Sequence, residues 1–132
     1  MPFIKIKVKG PSLTAEQITR LQRGGTDLLA SGLGKAQERI AVMIDQDAES
    51  DWSIGGDPVQ RAAHLEATIN TGANTREERA AFIAAGHALL VEVLGPGLSE
   101  FTYVVIREFA GDNWGFNGMS NAQRIEYAAA PR

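Results

Sequence analysis

At 132 residues, with 44% hydrophobic and 22% charged residues, the chain suits one compact domain and is too short for two ordinary ones. A formal charge of −3, with its basic residues scattered, gives no electrostatic case for nucleic acid or an acidic membrane. The absence of cysteine excludes disulfides, thiolate metal sites and a cysteine nucleophile, and His64 and His87 stand far apart without an acidic cluster, so neither a metal nor another cofactor is expected.

The amino-terminal residues alternate Lys with apolar side chains, unlike the apolar stretch of a signal peptide. No run approaches the ~18 apolar residues of a membrane span, so a cytoplasmic location without membrane contact is expected. Ile4, Ile6 and Val8 alternate with Lys5, Lys7 and Lys9, the period-2 pattern of a half-buried strand. A Gly-containing loop then leads to Thr14, which reads as a helix N-cap, with Gln17 completing a capping box. The helix passes through Gly25 and Leu28-Leu29 and should stop at Gly34 in a left-handed cap. A second strand is predicted over Ile40 to Asp45. A Gly-rich turn, Asp51-Trp52-Ser53-Ile54-Gly55-Gly56, closes the unit.

The same unit is then written again. Leu65, Ala67 and Ile69 alternate with Glu66, Thr68 and Asn70, 61 residues after the first strand. Thr75 and Glu78 repeat the capping box, Gly86 matches Gly25, Leu89-Leu90 matches Leu28-Leu29, and Gly95 matches Gly34. The next strand runs from Thr102 to Arg107, followed by Asn113-Trp114-Gly115-Phe116-Asn117-Gly118, with the offset now 62. The paired glycines inside the helices cost roughly 1 kcal/mol each relative to Ala and are read as permitting close helix–sheet approach. Residues 57–63 form a short join, and Met119–Arg132 is a tail with weak helical character at Asn121–Ala129.

The chain therefore reads as tandem β-α-β repeats, an α/β (α+β) architecture in one domain. Repeat one covers 2–56, repeat two 63–118 and the tail 119–132. Each crossover makes its two strands parallel with a right-handed connection. A unit of this size buries too little alone, so one shared four-stranded sheet with both helices on one face is expected. Ile40, Val42, Ile44, Thr102, Val104 and Ile106 should face the helices. The opposite face, with Lys5, Lys7, Lys9, Glu66, Thr68, Asn70, Asp45, Tyr103 and Arg107, reads either as an interface or pocket surface with Lys–Glu cross-strand pairs or as a solvated sheet face.

Met1-Pro2-Phe3-Ile4-Lys5-Ile6, a capped helix ending in Leu-Gly, an apolar strand and an Asp/Asn-Trp-x-x-x-Gly closure together resemble the 4-oxalocrotonate tautomerase family, once over 2–56 and again over 63–118. The resemblance implies a tautomerase-like fold and a catalytic amino-terminal proline. By this reading Pro2, freed by removal of Met1, is a secondary amine at the mouth of an apolar pocket. Desolvation would lower it from the ordinary ~8 so that it acts as a neutral base near pH 7. On position alone, Pro2 reads first as a residue that merely starts a strand; the repeat pattern reverses that preference. Its repeat partner Ala63 is internal and supplies no amine.

By analogy with fused relatives, Trp114 would wall the pocket of Pro2, simple core packing being its other reading, and three chains would close a ring. Family members acting on dicarboxylates carry Arg at places held here by Leu13, Asn74, Ala41 and Tyr103. Tyr103 and Asn74 are therefore candidates for neutral hydrogen bonds to an enolate or carbonyl oxygen, and Arg107 is a candidate for substrate binding or for pairing with Asp45. The expected activity is proton transfer, a keto–enol or double-bond shift, on a small enol or 2-oxo acid. The alternatives are decarboxylation, hydration or dehalogenation on the same scaffold, or a non-catalytic trimer. Phe116 stands where a water-activating acid would be sought.

Overall fold

The structure is a computed structural model that describes residues 2–131; Met1 and Arg132, and with them the expected removal of Met1, lie outside the described residues. In chain order the elements are β1 (Phe3–Lys9), α1 (Ala15–Asp27) running into a π-helical turn (Leu28–Gly32), a 3-10 turn (Gln37–Arg39) and β2 (Ala41–Gln46). The short strands β3 (Ser53–Ile54) and β4 (Asp57–Pro58) follow, and then β5 (Ala62–Asn70), α2 (Arg76–Leu94) and β6 (Val104–Phe109). A second short pair, β7 (Gly115–Phe116) and β8 (Met119–Ser120), leads into α3 (Asn121–Ala129).

Both long helices begin where their capping boxes place them. Thr14 Oγ1 accepts from the Gln17 N–H at 3.1 Å while Gln17 Oε1 accepts from the Thr14 N–H at 2.9 Å, and Thr75 and Glu78 repeat the exchange at the same distances. Each box satisfies two otherwise orphaned amide donors. A third box, Ser120 with Gln123, starts α3 and gives the tail a defined helix. The ends match expectation less closely. Gly34 has the left-handed φ of +70° after the π-helical turn, whereas Gly95 has a φ of +92° with an extended ψ of 173°, so only the former approaches the expected cap.

The main sheet has the order β2-β1-β5-β6. β1 and β2 are parallel, β5 and β6 are parallel, and the two repeats meet through the antiparallel β1–β5 pair, in which Ile6 lies opposite Leu65. Ile4, Ile6, Val8, Leu65, Ala67 and Ile69 line one face and pack with Leu21 and Leu29 of the first helical segment and with Phe82, Leu90 and Val93 of α2. Ile40, Val42, Ile44, Val104 and Ile106 pack against the same core, as their parity requires. Gly25 and Gly86 occupy equivalent positions above Val42 and Val104, where an added Cβ would stand 3.4 Å and 3.1 Å from a valine methyl. The glycines therefore set the distance between helix and sheet.

Each repeat closes in a two-residue hairpin whose central residues both have positive φ: Gly55 and Gly56 at +62° and +85°, Asn117 and Gly118 at +49° and +78°. This is the type I′ pattern that suits the strand twist. The hairpins extend the repeats beyond the boundaries read from sequence, because β4 takes in Pro58 and β8 takes in Ser120. The join is correspondingly shorter and the tail proper begins at α3. Among the described residues no helix is long and apolar enough to cross a membrane.

Candidate active site

Antiparallel pairing of β1 with β5 gives the sheet two ends of different character. Phe3 pairs with both Ala41 and Thr68, and the Ala41 N–H donates to the Pro2 carbonyl at 3.3 Å. Pro2 therefore sits where β2 begins and β5 ends. Its side chain is fully buried.

The second hairpin and α3 are tied to this end. Asn70, the last residue of β5, accepts hydrogen bonds from Trp114 Nε1 at 2.8 Å and from Asn121 Nδ2 at 3.2 Å. Trp114 also meets Phe109 edge-on, with ring centroids 6.3 Å apart. Further along the hairpin, Phe116 lies under two guanidinium groups. Arg124 Cζ of α3 is 3.6 Å from the ring centroid, and Arg39 Cζ, from the turn just before β2, is 5.8 Å away. Both distances are within cation–π range. Arg124 Nη2 donates to the Phe116 carbonyl at 2.6 Å, while its Nε–H is buried without a partner. Neither arginine forms a salt bridge with a described residue. Two guanidinium groups without a salt bridge among the described residues thus converge on one ring at the end of the sheet that holds Pro2.

The residues singled out from the sequence are distributed differently. Trp114 reaches the Pro2 end through Asn70. Asn74 lies in the loop leading from that end to α2, and is buried, but its Nδ2 donates to the Leu33 carbonyl at 3.0 Å. One N–H of the amide expected to serve an enolate is taken by the end of the first helix, and Oδ1 is a buried acceptor without a partner. Tyr103 precedes β6 at the opposite end: its carbonyl accepts from the Leu65 N–H, and its side chain shares a cavity with Ala63 and Trp52. Within one chain Tyr103 is level with Lys7, so it and Pro2 are separated by about 17 Å along the strands at ~3.3 Å per residue.

Arg107 lies on the open face of the sheet and donates to Glu66 Oε1 at 3.2 Å, not to Asp45. The strand order explains the choice. Asp45 is on β2 at the other edge, three strand spacings or about 14 Å away. Lys5 does stand opposite Glu66 in register, but the carboxylate is held by His64 Nε2 at 3.0 Å and by Arg107. These two bonds, the one from His64 foremost, keep the Glu66 carboxyl below the usual carboxylate range. A depressed folded-state value contributes stability above the unfolded carboxyl range and loses it as pH falls through the folded value. For this partly exposed pair the contribution is about 0.5–1 kcal/mol. Urea unfolding of Glu66→Gln is therefore expected to show less destabilisation on acidification than the parent, by that amount; parallel pH profiles would refute the pairing as an energetic contact.

Arg39 and Arg124 were missed by the sequence reading. The signal for Arg39 was available, since the offset of 62 makes it the partner of Phe101, two residues ahead of the Ala41–Tyr103 pair. Arg124 gave no such signal because α3 has no counterpart in the first repeat. A second charged cluster borders the same region: half-buried Lys35 is lowered from its ordinary value by desolvation, a shift opposed by Glu78 and Glu108.

The family model described as "Tautomerase enzyme" matches the chain twice, over residues 2–62 and 67–124. The chain belongs to the tautomerase family. It is 41% identical over 59 residues to probable tautomerase K2 of Dickeya dadantii, a match covering 45% of this chain and 88% of that protein. A probable tautomerase of Campylobacter jejuni is 35% identical over 60 residues, covering 46% and 88% respectively. Each relative thus corresponds to one repeat. Among solved structures, Pt0534 inactivated by 2-oxo-3-pentynoate superposes with a TM-score of 0.80 at 22% identity, over 92% of this chain and 98% of that one. Native fused 4-OT superposes with a TM-score of 0.79 at 18% identity, over 92% and 97%. These likenesses establish the tautomerase fold with its four-stranded sheet and doubled unit.

Proposed function

We propose that the protein is an isomerase that moves a proton within a small enol or 2-oxo acid, with the amine of Pro2, freed of Met1, as the base. The observation that carries this reading is the convergence of Arg39 and Arg124, neither in a salt bridge with a described residue, on Phe116 at the end of the sheet where Pro2 is buried. Such a site favours an anion, and a guanidinium recognises a carboxylate by charge-assisted hydrogen bonds. In ketonisation the neutral amine accepts the enol hydroxyl proton, the C2–C3 π pair takes a proton at C3, and the carbonyl forms at C2. Pro2 supplies the base, and Arg39 and Arg124 hold the carboxylate, whose charge is the same in substrate and transition state. Inactivation of the structurally similar Pt0534 by an alkynyl 2-oxo acid is in keeping with a nucleophilic amine facing a 2-oxo acid pocket.

Phe116 carries no acid with which to activate water, which favours proton transfer over hydration or dehalogenation. Phenylenolpyruvate ketonisation, assayed beside turnover of a 3-haloacrylate and of malonate semialdehyde, tests this choice. Faster turnover of either of the latter would overturn it. Arg124→Ala is expected to raise KM for phenylenolpyruvate about tenfold with kcat little changed, as when binding common to ground and transition states is removed. Arg124→Lys should recover part of the loss. An unchanged KM in Arg39→Ala and Arg124→Ala alike would remove both arginines from the site.

Assembly belongs to the same reading. The edge strands β2 and β6 leave their outer sides unpaired, and Met43 and Phe109 are exposed on them. A fused 4-OT with a TM-score of 0.80 to this chain is a symmetric trimer. A ring of three chains, each covering its neighbour's edge, satisfies these strands. Light scattering that gives the mass of a single chain would reject it.

A further inference from the structure

The end of the sheet that lacks the amine is also a built cavity. It is an open cleft of about 410 Å³ lined by Trp52, Ser53, Ile54, Gly55, Ala63, Phe101 and Tyr103. It is the repeat counterpart of the Pro2 end, position by position. Ala63 stands for Pro2, Phe101 for Arg39, Tyr103 for Ala41, Ile54 for Phe116 and Trp52 for Trp114. The type I′ hairpin is kept and the chemistry has been exchanged: every charged or reactive group has become apolar or aromatic. The cavity is open for a structural reason. At the Pro2 end α3 packs beside the hairpin, whereas after β4 the chain runs directly into β5 and has no such helix to place.

We propose that this cavity is a second ligand site, one that takes a small, uncharged aromatic molecule. Its volume falls in the ~300–1,000 Å³ range of small-molecule pockets. Three of its lining residues, Trp52, Phe101 and Tyr103, carry planar aromatic side chains, and Phe101 and Tyr103 are 56% and 64% exposed. Aromatic rings favour offset or edge-on partners beyond their area burial. The side-chain polar groups in the lining are the Ser53 and Tyr103 hydroxyls and the Trp52 indole N–H, enough to orient one neutral polar substituent. No lining residue is charged, so an ionised carboxylate would be desolvated there without compensation. The nitrogen of Ala63 is a peptide amide, and the site binds without reacting. None of this depends on catalysis at Pro2.

The two tryptophans provide the test, since Trp52 lines this cavity and Trp114 stands at the other end. Methyl 4-nitrobenzoate, an uncharged quencher of indole emission, is titrated into the full-length assembled protein beside 4-nitrobenzoate. The ester is expected to quench saturably. The carboxylate should bind at this end at least about tenfold more weakly. In Trp52→Phe the residual Trp114 emission should stay unquenched by the ester. Phe101→Ala, a change at an exposed position, should weaken ester binding about two- to tenfold. Quenching that rises linearly as for free tryptophan, or an affinity unchanged in Phe101→Ala, would overturn the proposal. So would a Trp52 inaccessible to the ester in the assembled protein and quenched only after dilution to single chains, which would make this cavity a contact between copies of the chain.

Discussion

Placing one additional residue ahead of Pro2 in the processed protein is expected to lower kcat/KM for phenylenolpyruvate by about 10²–10⁴-fold, the range supplied by a positioned general base. The change leaves every side chain in place and converts a secondary amine into a tertiary amide, which has no basicity. It therefore separates the chemistry of the nitrogen from the packing of the ring, which Pro2→Ala does not. Intact-mass measurement must accompany the assay to establish which form is present. In the processed form the acid limb of the kcat/KM profile should fall below the ~8 of an unperturbed terminal amine, because burial penalises the cation. Equal activity in the extended and processed forms would remove Pro2 from catalysis and leave the fold assignment untouched.

Leu65→Ala is expected to cost about 2–5 kcal/mol, the range for truncating a buried leucine where the surroundings collapse only partly. The total stability of a single domain is about 5–15 kcal/mol, so the loss is a large share of it. Leu65 has no exposed surface and lies at the join of the repeats, opposite Ile6 on β1 and Val104 on β6. A cavity there loosens the antiparallel seam through which the two units share one core. Denaturant unfolding should show a lower midpoint. A loss below about 1 kcal/mol would mean that the repeats are held together mainly by other contacts. Ile54→Ala, on a half-buried hairpin strand, serves as the mild comparison.

The architecture was open to a sequence reading because its causes are local and occur twice. Alternation in Ile4-Ile6-Val8 and Leu65-Ala67-Ile69 assigns the strand faces, the Thr14 and Thr75 boxes mark the helix starts, and paired Gly25 and Gly86 point to the close approach that Val42 and Val104 fill. The same reading named Tyr103 and Asn74 because they stand where the family resemblance puts carboxylate-binding arginines, a comparison that carries no information on which end of the sheet each occupies within one chain. It passed over Arg39, which lies two residues before the position examined, and over Arg124, because a tail without a repeat partner offers no internal comparison.

The sequence by itself thus determined the β-α-β unit, its duplication, the face of each strand and the family resemblance, all of which follow from periodicity and from bonds between residues a few positions apart. Only the tertiary structure decided that β1 meets β5 in antiparallel fashion, and this places Tyr103 and Pro2 of one chain at opposite ends of the sheet. It alone brought Arg39 and Arg124 onto Phe116, committed Arg107 to Glu66 rather than Asp45, and tied one N–H of the Asn74 amide to Leu33. Those outcomes depend on strand order and register between segments dozens of residues apart, where a side chain's partner is set by which strand lies beside it.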